Sequence, residues 1–186
     1  MPTKAGLRCS WAESAPDYVA YHDDEWGTPL HGDRELFERM SLEAFQSGLS
    51  WLIILRKRPA FRTAFADFDV ATVAAFDERD VDRLLADTGI VRNRAKIEAT
   101  INNAQRIIDS MPEGLDAFLW SYAPKRRPRP TSVPATSDES KAMAKELKKR
   151  GFKFVGPTTA YALMQATGMV NDHLPPCFRA PRRSSR

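Results

Sequence analysis

The stretch Glu78-Arg79-Asp80-Val81-Asp82-Arg83-Leu84-Leu85-Ala86-Asp87-Thr88-Gly89-Ile90-Val91-Arg92-Asn93-Arg94-Ala95-Lys96-Ile97 decides the fold class. Asp77, just before it, is placed to cap a short helix over 78–86, since its carboxylate can accept from the free backbone N–H groups of the first turn. Asn93 caps a longer helix over 94–110, whose Ile97, Ile101, Ala104 and Ile108 recur as one stripe. Between the two, Gly89 stands where the chain must reverse, and Ile90 and Val91 can plug the space between the helices. The turn exposes backbone N–H groups beside the second helix, with Arg92, Arg94 and Lys96 flanking it. Amide dipoles and cations aimed at one point make a phosphate site that needs no base readout.

Two readings of this unit stand. It grips a DNA backbone in the helix-hairpin-helix manner through Gly89, Ile90, Arg92, Arg94 and Lys96, or it is an ordinary helical hairpin with a solvated basic edge. Outward from it the pattern stays helical. Upstream, Asp33 is an N-cap for a helix carrying Leu36, Phe37, Met40 and Ala44; Gly48 and Ser50 interrupt the run before the apolar segment 51–55. Asp69 caps a short helix over 70–76. Downstream, the pattern vanishes over 123–135, where prolines alternate with Lys125, Arg126, Arg127 and Arg129 in an extended surface loop. Helix resumes with a capping box of Thr136 and Glu139 and stops at Gly151; a last helix starts at Pro157 and stops at Gly168. The tail 179–186 is polar, basic and expected to be disordered. With no repeats and almost no strand alternation, the expected architecture is all-α, a single domain over 1–186.

Composition sets bounds. The 186 residues suit one core; Lys and Arg number 28 against 24 Asp and Glu, a net charge of +4 that permits a polyanionic partner without demanding one. Residues 1–8 hold no apolar signal region and no stretch is apolar enough to span a membrane, so a cytoplasmic, membrane-free protein is expected. The two cysteines, Cys9 and Cys177, lie near opposite ends, which argues against a disulfide scaffold.

Two further constellations carry chemistry. Cys9 precedes His22 by thirteen positions and His173 precedes Cys177 by four; thiolates and imidazoles can close a tetrahedral zinc site. The other reading is two buried thiols and two surface or helix-terminal histidines. If all four ligands are protein, no position remains for water and the metal is structural. The second constellation gathers Trp11, Tyr18, Tyr21, Trp26 and Trp51 in the first third of the chain, with Glu43 on or beside the buried stripe of its helix. Aromatic walls around one carboxylate suit a flat, electron-poor or cationic heterocycle. In the alternative, the aromatics are core and Glu43 caps a neighbouring helix. His31 is left as a surface histidine.

Taken together, the chain resembles the 3-methyladenine-DNA glycosylase I family. The resemblance is carried by Arg8-Cys9-Ser10-Trp11, by Tyr18-Val19-Ala20-Tyr21-His22-Asp23-Asp24-Glu25-Trp26-Gly27 and by Leu42-Glu43-Ala44-Phe45-Gln46-Ser47-Gly48-Leu49-Ser50-Trp51. It continues through Gly89-Ile90-Val91-Arg92-Asn93-Arg94, Lys149-Arg150-Gly151-Phe152-Lys153-Phe154-Val155-Gly156 and Val170-Asn171-Asp172-His173. The resemblance implies a helix-hairpin-helix glycosylase fold, with the hairpin at about 78–110. It also implies a structural zinc on Cys9, His22, His173 and Cys177 that ties segments 1–30 and 165–180 together. It further implies a pocket in which Glu43 hydrogen-bonds a flipped purine and is the catalytic-site carboxylate, Trp51 stacks, and Trp11, Tyr18 and Tyr21 complete the walls. Leu49 would fill the gap left in the duplex. The implied activity is monofunctional excision of 3-methyladenine from alkylated double-stranded DNA by a bacterial monomer. No lysine stands at the 87–93 turn where bifunctional relatives place a Schiff-base nucleophile. A DNA-backbone-binding module without catalysis is the competing reading. A zinc deaminase is disfavoured, since the chain lacks the His-x-Glu and Pro-Cys-x-x-Cys signatures.

Overall fold

In the computed structural model, which describes residues 7–125 and 130–181, every regular element is helical and no strand occurs among the described residues. The α-helices are α1 (Pro16–Asp24), α2 (Asp33–Gln46), α3 (Trp51–Ala64), α4 (Val70–Ala74), α5 (Glu78–Ala86), α6 (Arg94–Ser110), α7 (Leu115–Trp120), α8 (Asp138–Lys149) and α9 (Pro157–Ala166), with 3-10 turns at Ser10–Ser14 and Ala66–Phe68. The residues at 126–129 of the Pro/Arg loop and 182–186 of the tail lie outside the described residues. The described flanks of that loop carry no helix or strand.

Helix α2 is central, packing against α3, α6, α7 and α9. Its Leu36, Phe37, Met40, Leu42 and Phe45 are fully enclosed or nearly so. Phe45 meets Phe61 of α3 at 4.6 Å between ring centroids, Phe65 stacks on Phe68 at 5.5 Å, and Phe37 meets Phe68 edge-on at 5.9 Å. These rings belong to one apolar cluster that reaches from Leu36 to Val170. Burying one such ring contributes about 2 kcal/mol, and the same helix buries the charged Arg39 and Glu43 among them.

The capping residues show where sequence reading holds and where it shifts. Asp69 accepts from Thr72 N–H, Asp77 from Arg79 and Asp80 N–H, and Asn93 from Lys96 N–H, as expected. Asp33 is not the cap of α2. Gly32 takes that position with φ of 100°, and the Asp33 carboxylate instead accepts from Asp116 N–H at 2.8 Å, serving the first turn of α7. The capping box of α8 is Ser137 with Ser140, one residue on from Thr136 and Glu139. Ile108 is exposed and Ile107 is buried, so the stripe of α6 runs one position earlier at its end. Helix α3 continues past residue 55 to Ala64, through Pro59. Helix α4 stops at Ala74, short of 76. His31 is a surface residue with a role: it pairs with Asp116 at 2.9 Å and stacks on Trp120.

The C-terminal segment returns to the N-terminal one through backbone contacts. Gly27 N–H donates to Gln165 carbonyl and Leu30 N–H to Thr167 carbonyl. Gly168 follows with φ of 70°, and a Cβ there would lie 2.4 Å from the backbone at Thr28 and Pro29. Both strain and overlap oppose a side chain, and neither neighbour is a movable side chain. Gly168→Ala is therefore expected to cost about 3 kcal/mol. Thermal unfolding should show this as a midpoint lowered by roughly 10 °C; an unchanged midpoint would refute this account of the junction.

Candidate active site

The elements around the N-terminus converge on a cavity of about 310 Å³. The 3-10 turn at Ser10–Ser14 contributes Trp11 and Ser14, α1 contributes Tyr18 and Tyr21, and the turn after α1 contributes Trp26. Helix α2 brings Glu43 and Gln46, α3 opens with Trp51, and α9 adds Ala162 and Gln165. Helical geometry explains the division of labour on α1. Tyr18 and Tyr21, three apart, share the face that looks into the cavity, while His22 and Asp23 turn into the protein. Tyr18 is pinned there because its hydroxyl accepts from Leu52 N–H at 2.9 Å, one of the free amides at the start of α3.

The rings form a continuous wall. Trp11 meets Tyr18 at 5.5 Å and Trp26 at 5.2 Å, both edge-on, and Tyr21 meets Trp51 at 5.4 Å. Trp51 Nε1 is buried without a hydrogen-bond partner. Glu43 is 5% exposed, and no hydrogen-bond donor among the described residues reaches its carboxylate. Burial pushes its pKa up to about 7, against a downward pull from Arg39. Burial likewise pushes the Tyr21 phenol well above its ordinary value, keeping it neutral. The site therefore offers electron-rich faces, one unengaged indole donor and one carboxylate poised between its two protonation states.

Immediately behind this wall lies a second cluster. Ligand atoms of Cys9, His22 and Cys177 lie within 4.8 Å of one another, His22 Nε2 being 3.3 Å from Cys177 Sγ. His173 stands beside them, its ring 4.7 Å from that of His22. Each histidine has its Nδ1 engaged, His22 with Asp23 Oδ1 and His173 with Asn171 Oδ1, both at 2.8 Å. Those acceptors fix Nδ1 as the protonated nitrogen and leave a lone pair on each Nε2. His173 Nε2 is buried and has no hydrogen-bond partner. Burial and the neighbouring His22 lower the pKa of His173 to about 4, so its ring is neutral. Burial raises the Cys9 thiol to about 11, and the Arg8 guanidinium holds Asp23 down at about 2, anionic behind His22. Two sulfurs and two imidazoles with outer-shell acceptors fit zinc.

The residues expected to touch DNA are distributed less simply. Gly89 and Ile90 sit in the turn between α5 and α6, with Ile90 buried as the plug. Arg92 is exposed and makes no ion pair with the described residues. Arg94 is spent on Glu78, Asp82 and Glu98. Lys96 corrects the sequence reading: it is buried, and its ammonium donates to Phe45 carbonyl at 2.8 Å and Ser47 carbonyl at 2.6 Å. It caps the end of α2 instead of facing a phosphate, because the free carbonyls there attract a cation from inside. Leu49 is exposed on the turn between Gln46 and Trp51. The sequence reading holds both helices of a second hairpin, α8 to α9, but not its basic edge as a place to meet a backbone. Gly151 turns it with φ of 85°, and Lys148, Lys149, Lys153 and Gly156 are exposed around it. Its signal is a lysine run before a glycine, followed by a second glycine and a proline. Gln46 and Gln165 are cavity walls that sequence reasoning also misses. Gln46 lies three positions after Glu43 and so on the same face, whereas Gln165 arrives from a helix far along the chain and leaves no local signal.

A helical fold that holds a cleft of aromatic rings around one buried carboxylate has the make-up of a binding site for a flat heterocycle. The chain belongs to the methyladenine glycosylase family, whose sequence pattern matches residues 11–180. It is 45% identical over 182 residues to DNA-3-methyladenine glycosylase 1 of Escherichia coli (strain K12), an alignment covering 94% of this chain and 97% of the relative. A crystal structure of 3-methyladenine DNA glycosylase I superposes with a TM-score of 0.89 at 45% identity, covering 94% of this chain and 100% of that one. The Staphylococcus aureus 3-methyladenine DNA glycosylase I, solved to show the structural basis of 3-methyladenine recognition, superposes with a TM-score of 0.85 at 36% identity, covering 94% and 97%.

Proposed function

We propose that this protein hydrolyses the N-glycosidic bond of 3-methyladenine in alkylated double-stranded DNA, releasing the free base and leaving an abasic site. The observation that carries the reading is Glu43: a buried carboxylate with no donor among the described residues, facing a cavity walled by Trp11, Tyr21 and Trp51. Methylation at N3 gives adenine a formal positive charge. The ring faces attract that cation and discriminate against neutral adenine. Glu43 accepts a hydrogen bond from the base, and in its anionic form it adds countercharge. Tyr18, Tyr21 and Trp11 hold the walls in register, and Trp51 stacks.

Bond breaking then asks little of the protein. The electron pair of the C1′–N9 bond moves into the purine and neutralises it; water adds to the sugar cation and loses a proton. Lys96, held by two backbone carbonyls, is in no position to attack the sugar, which supports a monofunctional enzyme. Extruding the nucleotide costs a few kcal/mol. Leu49, exposed beside the cavity, would fill the vacated stack. The backbone would be met by Arg92 and the Gly89–Ile90 turn, and by the lysines of the α8–α9 hairpin, whose second helix runs on to line the cavity with Ala162 and Gln165. A zinc ion on Cys9, His22, His173 and Cys177 would tie the ends of a single monomeric domain. It is structural in this reading, since four protein ligands leave no open position. None of the described helices is long and apolar enough to cross a membrane, which is compatible with work on cytoplasmic DNA.

The test is chromatography of bases released when the purified protein meets methylated duplex DNA. Free 3-methyladenine should accumulate without strand scission until alkali is added. No released base from folded, metal-loaded protein would leave a DNA-binding relative whose cleft serves something else.

A further inference from the structure

Helix α2 buries two opposite charges one turn apart, Arg39 and Glu43. Arg39 donates through one Nη to Glu25 at 2.9 Å, and its guanidinium lies 5.6 Å from the Tyr21 ring centroid. Its other Nη is buried with no hydrogen-bond acceptor. Glu25 is already occupied: Arg58 of α3 grips both of its oxygens, at 2.6 and 2.8 Å. Two guanidiniums thus share one carboxylate, which leaves one buried positive charge over. Glu43, the next acidic group along the helix, is buried one turn on and feels that charge.

We propose that Arg39 is a positioning residue for the base pocket, clamped between Glu25 and the Tyr21 ring so that its surplus charge favours the anionic form of Glu43 at the cavity. The proposal rests on the reading of Glu43 as the base acceptor and says what holds it ready. The chemistry is direct. A buried carboxylate with no donor prefers to be neutral, and a neutral acid loses the countercharge that a methylated purine needs. Among the charged groups nearby, Arg39 shares its helix and is paired with Glu25 past the end of α1, which Arg58 of α3 also holds; Lys96 of α6 ends on the carbonyls of Phe45 and Ser47; α1 presents the neutral Tyr21 phenol, and the 3-10 turn and α9 present Ser14 and Gln165. Of these, Arg39 pulls the Glu43 carboxyl downward while burial pushes it up. Tyr21 links the two halves of the device, since Arg39 covers the ring while the same ring packs on Trp51 in the pocket wall.

The experiment is a double-mutant cycle read by thermal unfolding at pH 8, using Arg39→Met, Glu43→Gln and both together. Arg39→Met should cost at least about 3 °C less in the Glu43→Gln background than in the wild type, because the charge it abandons is no longer there. Folding of the double variant where Arg39→Met alone fails to fold supports the proposal equally. An equal cost in both backgrounds, or failure to fold in both, overturns the proposal and leaves Arg39 as packing. A second readout uses base release as a function of pH. The acid limb should move up by about one pH unit in Arg39→Met and return with Arg39→Lys; an unmoved limb overturns the proposal. The cycle needs no activity, so a wild type that releases no base would sink the glycosylase reading while still deciding the pairing of Arg39 with Glu43.

Discussion

Glu43→Gln is expected to release 3-methyladenine about a hundredfold more slowly than the wild type, or slower still. The amide keeps the shape of the side chain and one acceptor oxygen but loses the negative charge that the cationic base meets. The same substitution should stabilise the fold at neutral and alkaline pH. The sign follows from the direction of the shift. Burial raises the carboxyl from an ordinary 4.5 to about 7. A raised carboxyl contributes its full stability below the unfolded value and loses it as pH climbs to the folded value. The unfolding midpoint of Glu43→Gln should therefore match the wild type near pH 4.5, rise above it between there and pH 7, and run parallel beyond. The gap corresponds to at most about 3 kcal/mol. Undiminished base release would move recognition to another residue; midpoints that never diverge would mean that the folded protein leaves the Glu43 carboxyl at its ordinary value, and a gap still widening above pH 7 would mean that it remains protonated there.

Removal of the metal should have the largest structural effect. Elemental analysis of the purified protein is expected to find about one zinc per chain, lost in Cys177→Ser. The unfolding midpoint should then fall by about 10 °C or more, because ligands from the two ends of the chain no longer close a long loop. Base release should suffer with it, since the pocket leans on the same cluster. Trp26 meets His173 at 4.6 Å, Trp11 meets His22 at 5.4 Å, and Tyr21 precedes His22 on α1. A chain that carries no zinc, or a variant with an unchanged midpoint, would leave two thiols and two histidines that bind no metal.

How much of this was legible before folding differs element by element. Helices α4, α5 and α6 could be read because Asp69, Asp77 and Asn93 act on amides two or three residues away; caps are local chemistry. Helix α1 could not. Its buried residues are Tyr21, His22 and Asp23, which make no apolar stripe, because two sites claim them and not the core. Helix α7 is likewise short, and its start is served by Asp33 from another helix.

The sequence by itself determined the helical class, the caps of α4, α5 and α6 and the inventory of the sites: five aromatics with one carboxylate, two cysteines with two histidines. Those follow from residue types and short spacings. Only the tertiary structure decided how each was used. It turned Lys96 inward, since the open carbonyls at the end of α2 outcompete water for its ammonium. It also spent Arg94 on three acidic neighbours and brought Gln165 to the cavity. It set Arg39 beside Glu25, Arg58 and Tyr21, so that one buried positive charge was left for Glu43. For Lys96 and Arg39 the physical reason is the same: a buried charge is settled by whichever partners the packing brings within a few ångströms, and those partners come from elements far apart in the chain.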